Sequence, residues 1–431
     1  MITFPFLTAY DPPGTSEGTL DPLGLYQIAD QLAMELVPAV RERMQRIRFL
    51  TAMTVGAIAT RDLADNLEQG DASPSLVWEW LVVEALIRAE DEIPKLWGVP
   101  GTLVTRRALN LVDYLDSRNY LKTPRIFGFH GVYKRLAVHL GLVDVYLRPG
   151  PAAERVLEAW ARGLGWSGFA DARPWMERWT SAVRRSLGEK PPRTKAGWGS
   201  QEWAELARAF DPAGCKARER RCLTDLLLAS EERPLGALPI LWQLQSEVDD
   251  DHFSEEALHD LLEKREPGYR PLLEAIRAYE AFARSLLDAF DLLRAEAAGP
   301  DAQGYVVSRI AADRDFLQSV SGIDERFERA YRSLAAVNGS TLALQNAFGE
   351  RFRAFAEPMT PEVCARVLCD HHERVQKAKS AEGKRPWFDR LGEDRIYIRH
   401  GYRDARRQIL PGRYVHDYRG QPIRHFFKDL S

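Results

Sequence analysis

The sequence predicts a mainly α, multi-helical protein with a winged-helix-like module in its N-terminal half and a small α+β segment at its C-terminal end. Three observations predict this. Apolar residues recur at helical spacing through nearly every long segment. The alternation of strands and helices that builds an α/β core is missing. The last sixty residues turn basic and aromatic and include short alternating stretches. With 431 residues the chain is too long for one ordinary core, and its 45% hydrophobic and 28% charged residues are a globular composition.

Taking the elements in order, Leu25, Ile28, Leu32 and Leu36 form an apolar stripe ahead of Pro38, and Val40, Met44 and Ile47 continue a second one. Arg41, Arg43, Arg46 and Arg48 surround that second stripe and are expected on a solvated amphipathic helix. Ser75 to Ala89 reads as a helix in which Trp78 and Trp80 fall on different faces, one in the core and the other against a neighbouring element. Pro94, Trp97, Gly98, Pro100 and Gly101 mark a loop.

The stretch at about 103–164 has a more specific order. A helix around Leu103 to Tyr114 is followed by a Pro/Gly connection from Thr123 to Gly131, then a short helix from Val132 to Leu140 stopped by Gly141. Leu142 to Leu147 is apolar and strand-like, Arg148-Pro149-Gly150 is a turn, and Pro151 to Gly163 is a helix opened by proline. Helix, helix, ribbon, helix is the order of a winged helix-turn-helix. In that reading the helix bearing Tyr133, Lys134, Arg135 and His139 takes the recognition position.

Residues 1–183 are therefore expected to form one helical domain. Residues 184–200, with Lys190, Pro191, Pro192 and Gly197, have the composition of a linker or exposed loop. A long-helix bundle is expected over 201–372. Within it Leu272, Ile276, Tyr279, Ala283, Leu286, Phe290 and Leu293 make a heptad seam, with Arg277, Glu280, Arg284, Asp288 and Asp291 on other faces. Its expected partner within the chain is the stripe Phe327, Tyr331, Leu334, Thr341, Leu344, Phe348, Phe352 and Phe355, interrupted near Asn338-Gly339. The acidic run Asp249-Asp250-Asp251 reads as a solvated loop or helix start.

Residues 373–431 form the basic aromatic segment. From Glu373 to Asp429 there are fifteen Lys and Arg against eight Asp and Glu, although the whole chain carries a net charge of −3. Trp387, Phe388, Tyr397, Tyr402, Tyr414, Tyr418, Phe426 and Phe427 are interleaved with those cations. Cations beside flat side chains suit a polyanion with stackable bases, and they also suit an Arg-rich surface between subunits. In Gly383-Lys384-Arg385-Pro386-Trp387-Phe388, Lys384 and Arg385 are expected on phosphates, with Trp387 either stacked on a base or packed back on the helices. Arg395 to Arg399 reads as a strand with Ile396 and Ile398 on one face, Arg403, Arg406 and Arg407 as a polar helical run, and Tyr414 to Arg419 as β-like. The candidate nucleic-acid contacts are thus Lys134, Arg135, Lys384, Arg385, Trp387, Arg399, Arg403, Arg407, Tyr418 and Arg419.

Catalytic signatures are absent: no phosphate-binding glycine loop, no H-E-x-x-H, no G-x-S-x-G elbow and no kinase set. Cys364, Cys369, Asp370, His371 and His372 suggest zinc, but on one helix Cys364 and His371 lie about 10 Å apart along the axis. One ion holds its ligands at about 2 Å, so no metal and no cofactor are expected there. A nuclease drawing on His371, His372, His400 and His416 is a weaker reading, since adjacency of His416 and Asp417 on a strand sends them to opposite faces.

Four cysteines (Cys215, Cys222, Cys364, Cys369) suit a reducing compartment. The first residues, Met1 to Phe6, lack the features of a secretory signal, and no run of eighteen apolar residues exists. A cytoplasmic location without a membrane partner is expected. The mixture of winged-helix-like module, long helices and basic aromatic tail resembles accessory subunits of bacterial DNA-handling or phage-defence systems, a likeness of architecture that transfers no residue. The expected function is that of a non-enzymatic nucleic-acid-binding or assembly subunit, with DNA ahead of RNA as ligand. The alternative is a scaffold docking an acidic protein surface.

Overall fold

The computed structural model describes residues 21–66, 72–93, 96–228, 234–248, 253–299, 304–337, 341–379, 384–404 and 407–431. Met1 to Phe6, Pro94, Asp249 to Asp251, Asn338-Gly339, Gly383 and Arg406 lie outside them.

The described residues are mainly helical. In chain order the first helices are α1 (Tyr26–Leu36), α2 (Phe49–Thr60), α3 (Pro74–Arg88), α4 (Thr102–Val112), α5 (Pro124–Phe127) and α6 (Phe129–His139). Next come α7 (Ala153–Gly163), α8 (Phe169–Gly188), α9 (Ser200–Ala209), α10 (Ala217–Leu228), α11 (Leu238–Leu244) and α12 (Glu255–Arg265). The last are α13 (Arg270–Ala297), α14 (Arg314–Val320), α15 (Ile323–Ala335), α16 (Thr341–Phe352), α17 (Pro361–Lys377) and α18 (Gly420–Leu430). Three short strands, β1 (Tyr305–Val306), β2 (Phe388–Arg390) and β3 (Arg395–Ile398), form an antiparallel sheet in the order β1-β3-β2. No described helix is long and apolar enough to cross a membrane.

The chain divides into two compact units, one of residues 1–35 and 254–418, the other of residues 36–253 and 419–431. The division does not fall at 184–200. Those residues belong to the second unit, where Thr194 exchanges hydrogen bonds with Leu115 (N to O 2.8 Å; Leu115 N to Oγ1 2.9 Å) and Ala196 is buried. The 373–431 segment is likewise shared, its last thirteen residues belonging to the second unit.

In the first unit, every residue of the α13 seam from Leu272 to Leu293 is buried. Tyr279 of the seam meets Phe348 at a ring distance of 6.0 Å, and Phe282, beside the seam on the same helix, meets Phe327, Phe348 and Phe352 at 5.9, 5.2 and 5.3 Å, so the partner stripe packs on α13. Two seam-flanking acids depart from expectation: Glu280 and Asp288 are buried, because Glu280 collects donors from residues 415–418 and Asp288 from Leu410 N. Ile396 and Ile398 of β3 are buried on one face, with Phe388 opposite Ile398, as alternation requires.

In the second unit, α2 is buried around most of its circumference. Both Trp78 and Trp80 are buried, Trp80 edge-on to Tyr120 at 6.4 Å. Trp78 donates from Nε1 to Ala52 O at 2.9 Å, and its ring joins Trp160, Trp179 and Phe210. The four N-terminal arginines are not on a helix. Pro38 and Ala39, the latter at φ +66°, break the backbone, and Arg48 becomes a buried ion-pair partner of Glu219 at 3.2 Å. Arg46 pairs with Asp429 at 2.6 Å. Residues 102–163 carry α4 to α7, with α5 inside the expected Thr123 to Gly131 connection and a single isolated bridge, Val143 to Pro149, where a ribbon was expected.

Two tail readings are corrected. Residues 407–410 are not helical, and Tyr414 to Arg419 is not a strand but an irregular segment held by Glu280 and Glu256. The helix lies beyond it: α18 buries Ile423, Phe426 and Leu430, spaced by three and four.

Candidate functional site

The sequence-derived contacts separate into those buried and those presented to solvent. Trp387 is buried, with Tyr402 stacked at 4.8 Å and the Arg294 guanidinium 4.7 Å from its centroid. Its backbone N–H donates to His372 Nε2 at 2.9 Å. Tyr418 is also buried and donates its hydroxyl to Glu280 Oε1 at 2.7 Å, and Arg419 has no exposed surface. Neither ring offers a face to a base, because packing already occupies it.

Three of the tail's candidate or neighbouring arginines pair with acids of the same unit. Arg399 pairs with Asp389 at 3.1 Å, Arg390 with Asp370 and Glu373, and Arg407 with Glu296 and with Asp313 at 3.7 Å. Arg403 donates to Ile398 O at 3.2 Å and to the Tyr397 hydroxyl. Lys384 is half-buried, with its backbone N–H on Gln376 O, and Arg385 is exposed. These guanidinium groups are engaged within the fold, while Arg385 stays on the surface.

His371 and His372 are committed as well. His371 donates from Nε2 to Leu23 O and His372 from Nδ1 to Pro22 O, both at 2.8 Å. Burial pulls their pKa values down to about 4 and about 3, and it pushes the Cys364 and Cys369 thiols up to about 12. Neutral, hydrogen-bonded imidazoles and protonated thiols are packing groups in this setting. No cluster of three or more metal-ligating side chains occurs among the described residues.

Lys134 and Arg135 are placed differently. They lie on α6 in the second unit, Lys134 half-buried on the wall of an open cleft of 880 Å³ and Arg135 exposed. Tyr133, their neighbour, is not available: it is buried, and its hydroxyl accepts from Gln45 N at 2.9 Å and Arg46 N at 2.7 Å.

At the base of the cleft is a carboxylate that sequence reading missed. Glu79 of α3 has no exposed surface. Its Oε1 accepts the Tyr120 hydroxyl at 2.8 Å, and its Oε2 accepts both His130 N at 3.0 Å and His130 Nδ1 at 2.8 Å. The backbone contact satisfies one of the free N–H groups in the first turn of α6, where a negative charge is favourable. Burial, reinforced by the Glu79 charge, raises the Tyr120 pKa well above 10, so the phenol remains a donor.

Two glycines permit this approach. A Cβ on Gly128 would lie 1.9 Å from Glu79 Oε1, and one on Gly131 would lie 2.4 Å from the Arg125 carbonyl. Gly131 thereby brings α5 and its Arg125 beside His130.

His130 lines the cleft; its Nδ1 is taken by Glu79, while Nε2 has no hydrogen bond to a described residue. Lys134 lies one helical turn beyond His130, on the same side of α6. Arg125 is exposed on the same wall, and neither Arg125 nor Lys134 makes an ion pair with a described residue. Tyr146, 80% exposed, stands on the rim. Trp80 also lines the cleft, and its Nε1 is buried without an acceptor among the described residues.

The signals for this site were present but indirect: a lone Glu between two tryptophans, and the closely spaced Gly128, His130 and Gly131. Comparison with family models, curated proteins and solved structures yields no match for the chain.

Proposed function

We propose that the protein is a nucleic-acid-binding subunit whose interface is the α5–α6 cleft of the second unit, with single-stranded nucleic acid as the ligand. The observation that carries this reading is the pair Arg125 and Lys134, cations without acidic partners among the described residues, converging on a cleft with an exposed tyrosine at its rim. Guanidinium and ammonium groups take phosphates, and an exposed phenol ring stacks on a base of any identity. A cleft of 880 Å³ is of a size that encloses a small ligand or a few groups of a strand. It does not match the long groove that a duplex demands.

The accessory-subunit role and the cytoplasmic setting belong to the same proposal. Its test is titration of a fluorescent single-stranded oligonucleotide over a range of salt. Log K should fall linearly with log salt, by about 0.7 per neutralised phosphate. Absence of binding at low salt defeats the reading.

Protein docking is the second reading, and a specific feature favours it. Leu103, Leu111 and Val112 of α4 are 78%, 72% and 44% exposed, an apolar face that a partner would cover.

A further inference from the structure

We infer that the cleft cleaves RNA, with His130 as the general base that activates a ribose 2′-hydroxyl. The inference rests on the cleft being the nucleic-acid interface and goes beyond it by assigning a reaction. Three features of the site support it, and none is needed merely to bind a strand.

The first is the state of His130. Nδ1–H donated to Glu79 leaves the lone pair on Nε2, and Nε2 is neither buried without a partner nor hydrogen-bonded to a described residue. A buried carboxylate holding one imidazole nitrogen so that the other meets a reactant is the arrangement acid–base chemistry uses. Here Glu79 is a positioning residue. It is itself fixed by Tyr120 and by the backbone N–H of His130, so the ring has little freedom.

The second is the placing of positive charge. Lys134 is four residues after His130 on α6, and Arg125 is held beside Gly131 by a backbone approach too close for any Cβ. Both cations line the same cleft as the imidazole. Arg125 is suited to the non-bridging oxygens, where charge grows in the transition state.

The third is the chemistry left to such a set. Transesterification of RNA carries its nucleophile in the substrate. His130 Nε2 takes the 2′-hydroxyl proton, the 2′-oxygen bonds to phosphorus, and the bond from phosphorus to the 5′-oxygen breaks. The leaving 5′-oxygen receives a proton from the Lys134 ammonium. The products are a 2′,3′-cyclic phosphate and a 5′-hydroxyl. The proton gained by His130 equals the one lost by Lys134, and exchange with water restores both. No oxidant, reductant or second substrate enters.

The experiment uses the full chain, treated with EDTA, and two oligonucleotides of one sequence, one RNA and one all-deoxy. The expected result is that both bind, that only RNA is cut, and that the fragments end in 2′,3′-cyclic phosphate. His130→Ala should retain binding within about threefold and lose about a hundredfold or more in cutting rate, with its circular dichroism spectrum unchanged. Glu79→Gln should cut more slowly than wild type while binding RNA as well. RNA that binds as tightly as the deoxy strand but stays intact overturns the inference and leaves the binding interface standing. So does cutting by His130→Ala at the wild-type rate. Failure of both strands to bind removes the interface and the reaction together.

Discussion

Glu79 holds His130 twice, at the backbone N–H (3.0 Å) and at Nδ1 (2.8 Å), with no exposed surface on the carboxylate. One side chain thereby starts helix α6 and sets the direction of an imidazole. The contact depends on Gly128, where a methyl group would fall 1.9 Å from the carboxylate oxygen. Gly128→Ala should therefore destabilise the second unit by about 1–3 kcal/mol, the usual cost of overpacking. Urea unfolding measures it, and a stability equal to wild type would show that Glu79 can step aside at no cost.

In the first unit Glu280 is the corresponding buried carboxylate. It accepts the Tyr418 hydroxyl and His416 Nδ1, each at 2.7 Å, and the Val415 N–H. Tyr418→Phe removes a donor from a buried charge and should cost about 1–3 kcal/mol. Arg332→Ala, which breaks an exposed pair with Glu328 at 2.8 Å, should cost at most about 0.5 kcal/mol. Parallel denaturation curves compare the two, and equal effects would contradict the role given to Glu280.

Stability of the first unit should fall on acidification. His259, His371 and His372 are buried, and desolvation lowers their pKa values from 6.5 to about 3, about 4 and about 3. Between the unfolded and folded values the unfolded chain binds the proton, so stability is complete above about pH 6.5 and declines as pH drops towards 4. Each imidazole contributes up to about 1.4 kcal/mol per pH unit in that window. His259 packs between Tyr414 and Tyr418 at ring distances of 5.6 and 5.7 Å, and its Nε2 has no hydrogen bond to a described residue. His259→Phe should flatten the decline by about one proton, as read from unfolding free energies at pH 7, 6 and 5. An unchanged slope would mean that this imidazole does not take up a proton on unfolding.

The parts legible in the sequence are those with long, unbroken periodicity. The α13 seam repeats over three heptads, so its buried face and its Phe348 partner could be read from spacing, whereas Phe282, which meets Phe327, lies off the seam. Thr360-Pro361 marked the start of α17, where the Thr360 hydroxyl accepts Val363 N. The α18 helix was hidden because only a few apolar residues, Ile423, Phe426 and Leu430, carry its spacing among cations and aromatics. Charge misled in a more instructive way. Composition counts Arg399 and Arg407 as positive surface, but their acids, Asp389 and Glu296, neutralise them in the fold. The Glu79 cluster was beyond local reading, since Tyr120 and His130 are 41 and 51 residues away from it. Of the α6 residues singled out by spacing, Lys134 lines the cleft. Spacing gave no sign that Tyr133 would turn inward to bind Gln45 and Arg46.

The most direct test of the cleft as the nucleic-acid interface compares two double variants in one salt titration against a single-stranded oligonucleotide. Arg125→Ala with Lys134→Ala should weaken binding at least about tenfold at low salt and reduce the log–log slope by about 1.4, two phosphates' worth. Lys384→Ala with Arg385→Ala, in the tail, should change affinity less than about threefold. The account is contradicted if the cleft variant keeps wild-type affinity and slope, or if the tail variant alone loses them.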